Sequence, residues 1–177
     1  MKHIFLFFLA LTTSLIGLAQ QQAVADCNCP KPKDGQFVHM CTLVENQDFK
    51  YKNLVLEMSC ADPKKDSQAT IKAKVNCMWE KYYKEFSCEG EGFITQGNIL
   101  KYSVNQGFEF FIDGMVKDFG VNINLRDPAD GKTLLDYTRD YINFFKKNPE
   151  YKKKVKELQE IYDHLKNDLK AKHASEI

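Results

Sequence analysis

Residues 99–138, ILKYSVNQGFEFFIDGMVKDFGVNINLRDPADGKTLLDYT, decide the fold. Phe108, Phe111, Ile112, Met115, Val116 and Phe119 recur at spacings of three, one, three, one and three, which places them on one face of a helix. The spacing predicts a short helix over 98–106, a turn at Gly107 and a second helix over 108–119. Gly120 stands where a left-handed helix stop is wanted. Val121-Asn122-Ile123-Asn124-Leu125 then alternates apolar and polar side chains, and Asp127-Pro128-Ala129-Asp130-Gly131 is a turn. Together they form a polar finger leading into a new helix. The chain restarts there, since Ile99-Leu100-Lys101-Tyr102-Ser103 is echoed by Leu134-Leu135-Asp136-Tyr137-Thr138 at an offset of 35 residues. Self-similarity at a fixed period on a helix–turn–helix unit marks a helical repeat.

Over these residues the chain resembles the ankyrin repeat. The family's Gly-x-Thr-Pro-Leu-His is met by Gly131-Lys132-Thr133-Leu134-Leu135-Asp136, with Leu134 in the Pro position and Asp136 in the His position. Gly107 meets the inter-helix Gly, and Gly120-Val121-Asn122-Ile123-Asn124 is close to Gly-Ala-Asp-Val-Asn. The finger carries an insertion around Pro128. The match covers one repeat, about 98–138, and the start of another. The resemblance implies a protein-binding scaffold without catalysis.

The N-terminus points to export. Lys2 and His3 precede an apolar run beginning at Ile4, and Ala23-Val24-Ala25 supplies small residues at both cleavage-determining positions. Residues 1–25 read as a signal peptide, with a cut after Ala19 or Gln20 as the alternative. An uncleaved anchor is disfavoured, because Thr12, Thr13 and Ser14 break a short apolar run. The mature chain, 26–177, is therefore expected in a periplasm, or secreted, with no membrane insertion after cleavage. All six cysteines, Cys27, Cys29, Cys41, Cys60, Cys77 and Cys88, lie in that part, which reads as a set of disulfides. Six cysteines allow 15 connectivities. Cys77 with Cys88, and Cys41 with Cys60, are two sensible staples, while Cys27 or Cys29 ties down the leading arm. Cys27-Asn28-Cys29 lacks CxxC spacing and a nearby His, so a structural role outweighs a redox or metal one.

Removing residues 1–25 leaves 24 basic and 24 acidic residues, a balance that argues against a nucleic-acid partner. The remainder reads as one mainly α domain. Residues 26–66 are a Cys-rich segment in which 37–58 is open between strand and helix. A helix capped by Asp66 or Ser67 is expected to reach about Phe86, with Ile71, Val75, Met78, Trp79, Tyr82 and Phe86 on its apolar face. The stretch 87–97 is a glycine-rich loop or short hairpin, and 98–145 is the repeat. After Lys146-Lys147-Asn148, Pro149 opens an amphipathic helix, 149–172, with Tyr151, Val155, Leu158, Tyr162, Leu165 and Leu169 as its stripe. Its lysine-rich opposite face, interspersed with Glu157, Glu160, Asp163 and Asp168, reads as solvated rather than as a membrane or acidic-partner surface.

Catalytic motifs are lacking. His39, His164 and His173 have no recognisable context, and HExxH, GxSxG and GxxxxGK[ST] do not occur. Glu89 with Glu91, and Asp127 with Asp130, sit in turn-rich loops where carboxylates cap locally, and EF-hand spacing is missing. No catalytic residue, metal or cofactor is expected. The expected role is a non-catalytic protein-binding module, an immunity or inhibitor protein occluding the active site of a toxin, effector or hydrolase. The competing readings are an envelope scaffold and an exported enzyme of unfamiliar kind. Two loops are the candidate interface: Asn122, Asn124, Arg126, Asp127 and Asp130 on the finger, and Glu89, Glu91 and Phe93 on the glycine-rich loop. Arg126 is the expected hot spot, against a local salt bridge to Asp127 or Asp130.

Overall fold

A computed structural model describes residues 28–89 and 96–177. The expected signal peptide, Cys27, Glu91 and Phe93 lie outside the described residues. The described chain is mainly helical, with seven α-helices and a single two-stranded sheet. No helix among the described residues is long and apolar enough to cross a membrane.

The open segment 37–58 resolves into two helices, α1 (Asp34–Glu45) and α2 (Tyr51–Met58). Helix α1 buries Phe37, Met40, Cys41 and Val44, and α2 buries Tyr51, Val55 and Met58. Both sets follow helical rather than alternating spacing, so the period decides against a strand. Helix α3 (Gln68–Lys81) starts as expected, with the Ser67 hydroxyl accepting from Thr70 N–H at 3.2 Å. It ends five residues before Phe86, which corrects the expected length. The chain turns through 82–85, so Tyr83 rather than Tyr82 is buried. Phe86 then comes back onto Trp79, 4.7 Å between rings, and meets Phe37 edge-on at 5.0 Å. Trp79 is fully buried, as its place in the stripe predicts.

The early end of α3 lets Cys88 on β1 (Ser87–Glu89) reach Cys41 on α1, with Cα atoms 5.6 Å apart. The second described bridge joins Cys29 to Cys60 at the same Cα separation and ties the leading arm to the end of α2. Cys77 is disulfide-bonded as well, and no described cysteine is free. The pairings Cys77–Cys88 and Cys41–Cys60 are thereby overturned. Nearness along the chain favoured them, but α1 packs against β1 and brings Cys88 to it. Strand β1 pairs antiparallel with β2 (Gln96–Asn98), with Ser87 opposite Asn98.

Residues 98–145 form helices where the apolar period places them, but the expected second helix, 108–119, is not one continuous α-helix. Helix α4 (Ile99–Gln106) is capped by Asn98 and stopped by Gly107 at φ 77°. Helix α5 (Glu109–Asp113) widens into a π-turn, Gly114–Asp118, and Gly120 at φ 66° closes it. The widening sits against Tyr51, where a Cβ on Gly114 would lie 1.8 Å from the Tyr51 hydroxyl oxygen. Only glycine permits that approach. Helix α6 (Leu134–Phe145) begins where the echo begins, and α7 (Lys152–Asn167) packs along it after a 3-10 turn at Pro149–Tyr151. Helix α7 stops at Asn167 rather than near 172. Lys170, at φ 57°, turns the chain and Ala171 N–H bonds back to Leu165 O at 2.9 Å. Leu169 and Ala171 are buried, and the tail to Ile177 crosses the start of α6 and the finger.

Candidate functional site

The finger, 121–133, is held from three directions. Val121 and Ile123 point into the core, which explains the alternation in the sequence. Asn122 N–H donates to Asn76 Oδ1 at 2.9 Å, and its own Oδ1 accepts from Asn124 N–H at 3.0 Å. Asn124 Oδ1 accepts from Lys172 N–H at 2.7 Å. Arg126 Nη2 donates to Ala174 O at 2.6 Å and Ile177 O at 3.0 Å. The guanidinium expected as a hot spot is thus engaged with the tail, and the ion pair expected with Asp127 or Asp130 gives way to this clasp.

Those two carboxylates belong instead to Lys101, which the sequence presents only as part of the echo. Lys101 is 4% exposed, and its ammonium donates to Asp127 at 2.7 Å and Asp130 at 3.1 Å. It also lies over the Tyr137 ring, 5.6 Å from the centroid. A buried cation is costly unless paired, so the two acids of the turn fix it and it fixes the turn. Asp127 Oδ1 further accepts from Ala129 N–H, and Asp130 Oδ1 from Lys132 N–H. With Gly131 at φ 70° and its N–H bonded to Asp127 O at 2.7 Å, the tip is a closed, hydrogen-bonded bend. Pro128, Ala129, Asp130 and Gly131 stand exposed on it.

The tip leans over a cleft of about 380 Å³, whose other wall is Tyr83, Lys84, Ser87 and Asn98. A second hollow of about 290 Å³ continues past Tyr83, Lys84 and Pro128 toward Glu80, Lys81 and Arg126. The finger and the hairpin base, the two regions singled out in the sequence, therefore border one cleft. Glu89 ends β1, paired with Gln96. Asn98 shapes the floor, donating to Tyr83 O at 2.9 Å and capping α4 through Leu100 N–H.

Behind the finger lies a second polar centre. Thr133 and Asp136 form a reciprocal cap at the start of α6. Asp136 also accepts from Ala174 N–H at 2.7 Å, from Arg139 at 3.1 Å, and pairs with His173 Nδ1 at 2.8 Å. Burial pushes the Asp136 carboxyl upward, but the bonds from Ala174, His173 and Thr133 outweigh it and hold the group at about 2. The other nitrogen of His173 meets the Tyr162 hydroxyl at 3.0 Å. His164 bridges Asp113 and Asp168, each at 2.7 Å. Burial lowers the His164 pKa, yet the two carboxylates prevail and raise it. Asp168, four residues after His164 in the chain, was findable from spacing. Asp113 and Asp136 were not, because their partners lie 51 and 37 residues away.

This arrangement offers a pre-organised loop beside a cleft, with its ionisable groups engaged within the chain. Among the described residues no group of three or more His, Cys, Asp or Glu side chains is placed to hold a metal ion. Comparison with known protein families, curated proteins and solved structures finds no match for this chain.

Proposed function

We propose that this chain is a non-catalytic binding protein of an oxidising, exported compartment, a bacterial periplasm in the simplest case. In this reading it is an immunity or inhibitor protein that occludes the active site of a toxin, effector or hydrolase. The two helical hairpins act as an ankyrin-like scaffold behind the finger. The observation that carries the reading is the contrast within the finger: Lys101 holds Asp127 and Asp130 and the tail holds Arg126, while Pro128, Ala129 and Gly131 stand exposed beside the cleft. A loop already fixed in its binding shape loses little entropy on association, and rigid inserted loops suit the blocking of an enzyme cleft. The disulfides support the compartment.

The interface proposed is the tip together with the hairpin, and Arg126 serves it by positioning the finger. The experiment is capture from periplasmic extract on the oxidised mature chain, followed by assay of any captured hydrolase. Inhibition by the intact chain, relieved by enlarging Ala129 to Trp, is the expected result. Capture of an enzyme that stays fully active, or of envelope components alone, would replace this reading with the scaffold.

A further inference from the structure

The corner between α6 and α7 carries a charge imbalance that the rest of the chain lacks. Residues 146–156 hold Lys146, Lys147, Lys152, Lys153, Lys154 and Lys156 against Glu150 alone, a formal +5 in a chain of net +1. Lys154 is turned inward, donating to Asn105 O, and its burial lowers its pKa. The other five are exposed. Lys153 and Lys156 meet Glu157 and Glu160 only loosely, both at 3.8 Å, with the lysine side chains 92% and 80% exposed. Such contacts leave the positive charge available.

Aromatic rings stand among these lysines. Phe144 and Tyr151 are each 44% exposed, and both pack on Phe145, at 5.2 and 4.8 Å between centroids. Phe145 in turn rests on Tyr141 at 4.8 Å, so the cluster is rooted in the core. Exposed rings on a firm base, ringed by flexible cations, suit a surface with an anionic face and an apolar layer beneath it. The cation type narrows the occupant. Protein interfaces favour Arg and are depleted in Lys. The chain's two arginines, Arg126 and Arg139, are engaged with the tail and with Asp136. The corner is built of lysine alone.

We infer that the α6–α7 corner docks the protein on an anionic lipid surface, with Phe144 and Tyr151 entering the headgroup layer and the lysines pairing with phosphates. The contact is peripheral and reversible, because the apolar stripe of α7 (Leu158, Ile161, Leu165) is buried in the core and does not reach lipid. Docking here leaves the finger's partner a separate question.

The test is vesicle co-sedimentation of the oxidised mature chain at about 50 mM salt, with phosphatidylcholine alone or with about 30% phosphatidylglycerol added. The chain is expected to sediment only with the anionic vesicles and to lose at least about tenfold in binding near 0.5 M salt, where screening is short-ranged. Lys146→Glu, Lys147→Glu, Lys152→Glu and Lys153→Glu together should weaken binding at least about tenfold with an unchanged melting temperature. The matching set of Gln substitutions replaces this variant if it misfolds. Phe144→Ser with Tyr151→Ser should weaken binding while leaving its salt dependence. Equal binding to neutral vesicles, undiminished binding by the charge-altered chain, or no sedimentation with either vesicle would overturn the inference; the last is the result an acidic protein partner would give.

Discussion

The two halves of the described chain fasten their irregular segments by different chemistry. In residues 28–89 the leading arm and the exit from α3 are held covalently, through Cys29–Cys60 and Cys41–Cys88. In residues 96–177, which contain no cysteine, the finger and the tail are held by polar side-chain contacts, the Lys101 ion pair being the buried one. Lys101 grips Asp127 and Asp130, Asp136 grips His173 and Ala174, and His164 spans Asp113 and Asp168. A covalent tie acts mainly on the unfolded chain and is indifferent to pH, whereas a buried ion pair acts on the folded state and depends on protonation. The halves should therefore fail under different stresses.

Reduction is the largest expected effect. The two described bridges span 31 and 47 residues, and loop-closure entropy assigns about 4 kcal/mol to each. Unfolding in denaturant with and without reductant measures the loss. Retention of full stability on reduction would erase the contrast between the halves. Next comes Trp79→Ala, expected to cost about 3–5 kcal/mol even in the oxidised protein, since a fully buried ring leaves a cavity that no crosslink fills. A native Trp79 emission typical of water would contradict its burial.

On the ionic side, Lys101→Met should cost about 3 kcal/mol, because it leaves Asp127 and Asp130 facing each other without their cation. Adding Asp127→Asn and Asp130→Asn should restore part of that loss, and a double-mutant cycle reads the coupling. The smallest effect is a pH effect. The Asp136 carboxyl is held at about 2 in the fold, below its ordinary 3.8. Its contribution, about 2 kcal/mol, is complete above pH 4 and is lost as pH falls through about 2. Denaturant melts of the oxidised Asp136→Asn chain should start less stable at neutral pH and lose less than the parent across that acid range.

How far the sequence discloses this division depends on the range of the contacts. The hairpins, Gly107, Gly120 and the restart at Leu134 were legible because helical period and left-handed stops are local signals. Disulfide bonding was legible from the cysteine count. The pairing was not, because Cys41 and Cys88 meet through the packing of α1 on the hairpin. Helix α7 reads too long in the sequence for a related reason: Leu169 continues the apolar stripe, yet it is buried beside a turn at Lys170 rather than on the helix. At the candidate site, the finger and the hairpin were each legible as turn-rich loops, but their meeting at one cleft was not. The engagement of Arg126, Asp127 and Asp130 within the chain was not, because exposed-looking polar residues in a turn give no sign of a buried lysine 26 residues away.

In the proposed role the finger is fixed from behind and its tip is presented to another protein. The most direct measurement pairs thermal unfolding with capture and inhibition of a periplasmic hydrolase, comparing the parent chain with Ala129→Trp at the exposed tip. The account predicts an unchanged melting temperature and at least about tenfold weaker capture and inhibition, because a bulky ring on a closed, hydrogen-bonded tip spoils the fit without touching the fold. Undiminished capture and inhibition by the folded Ala129→Trp chain would contradict it.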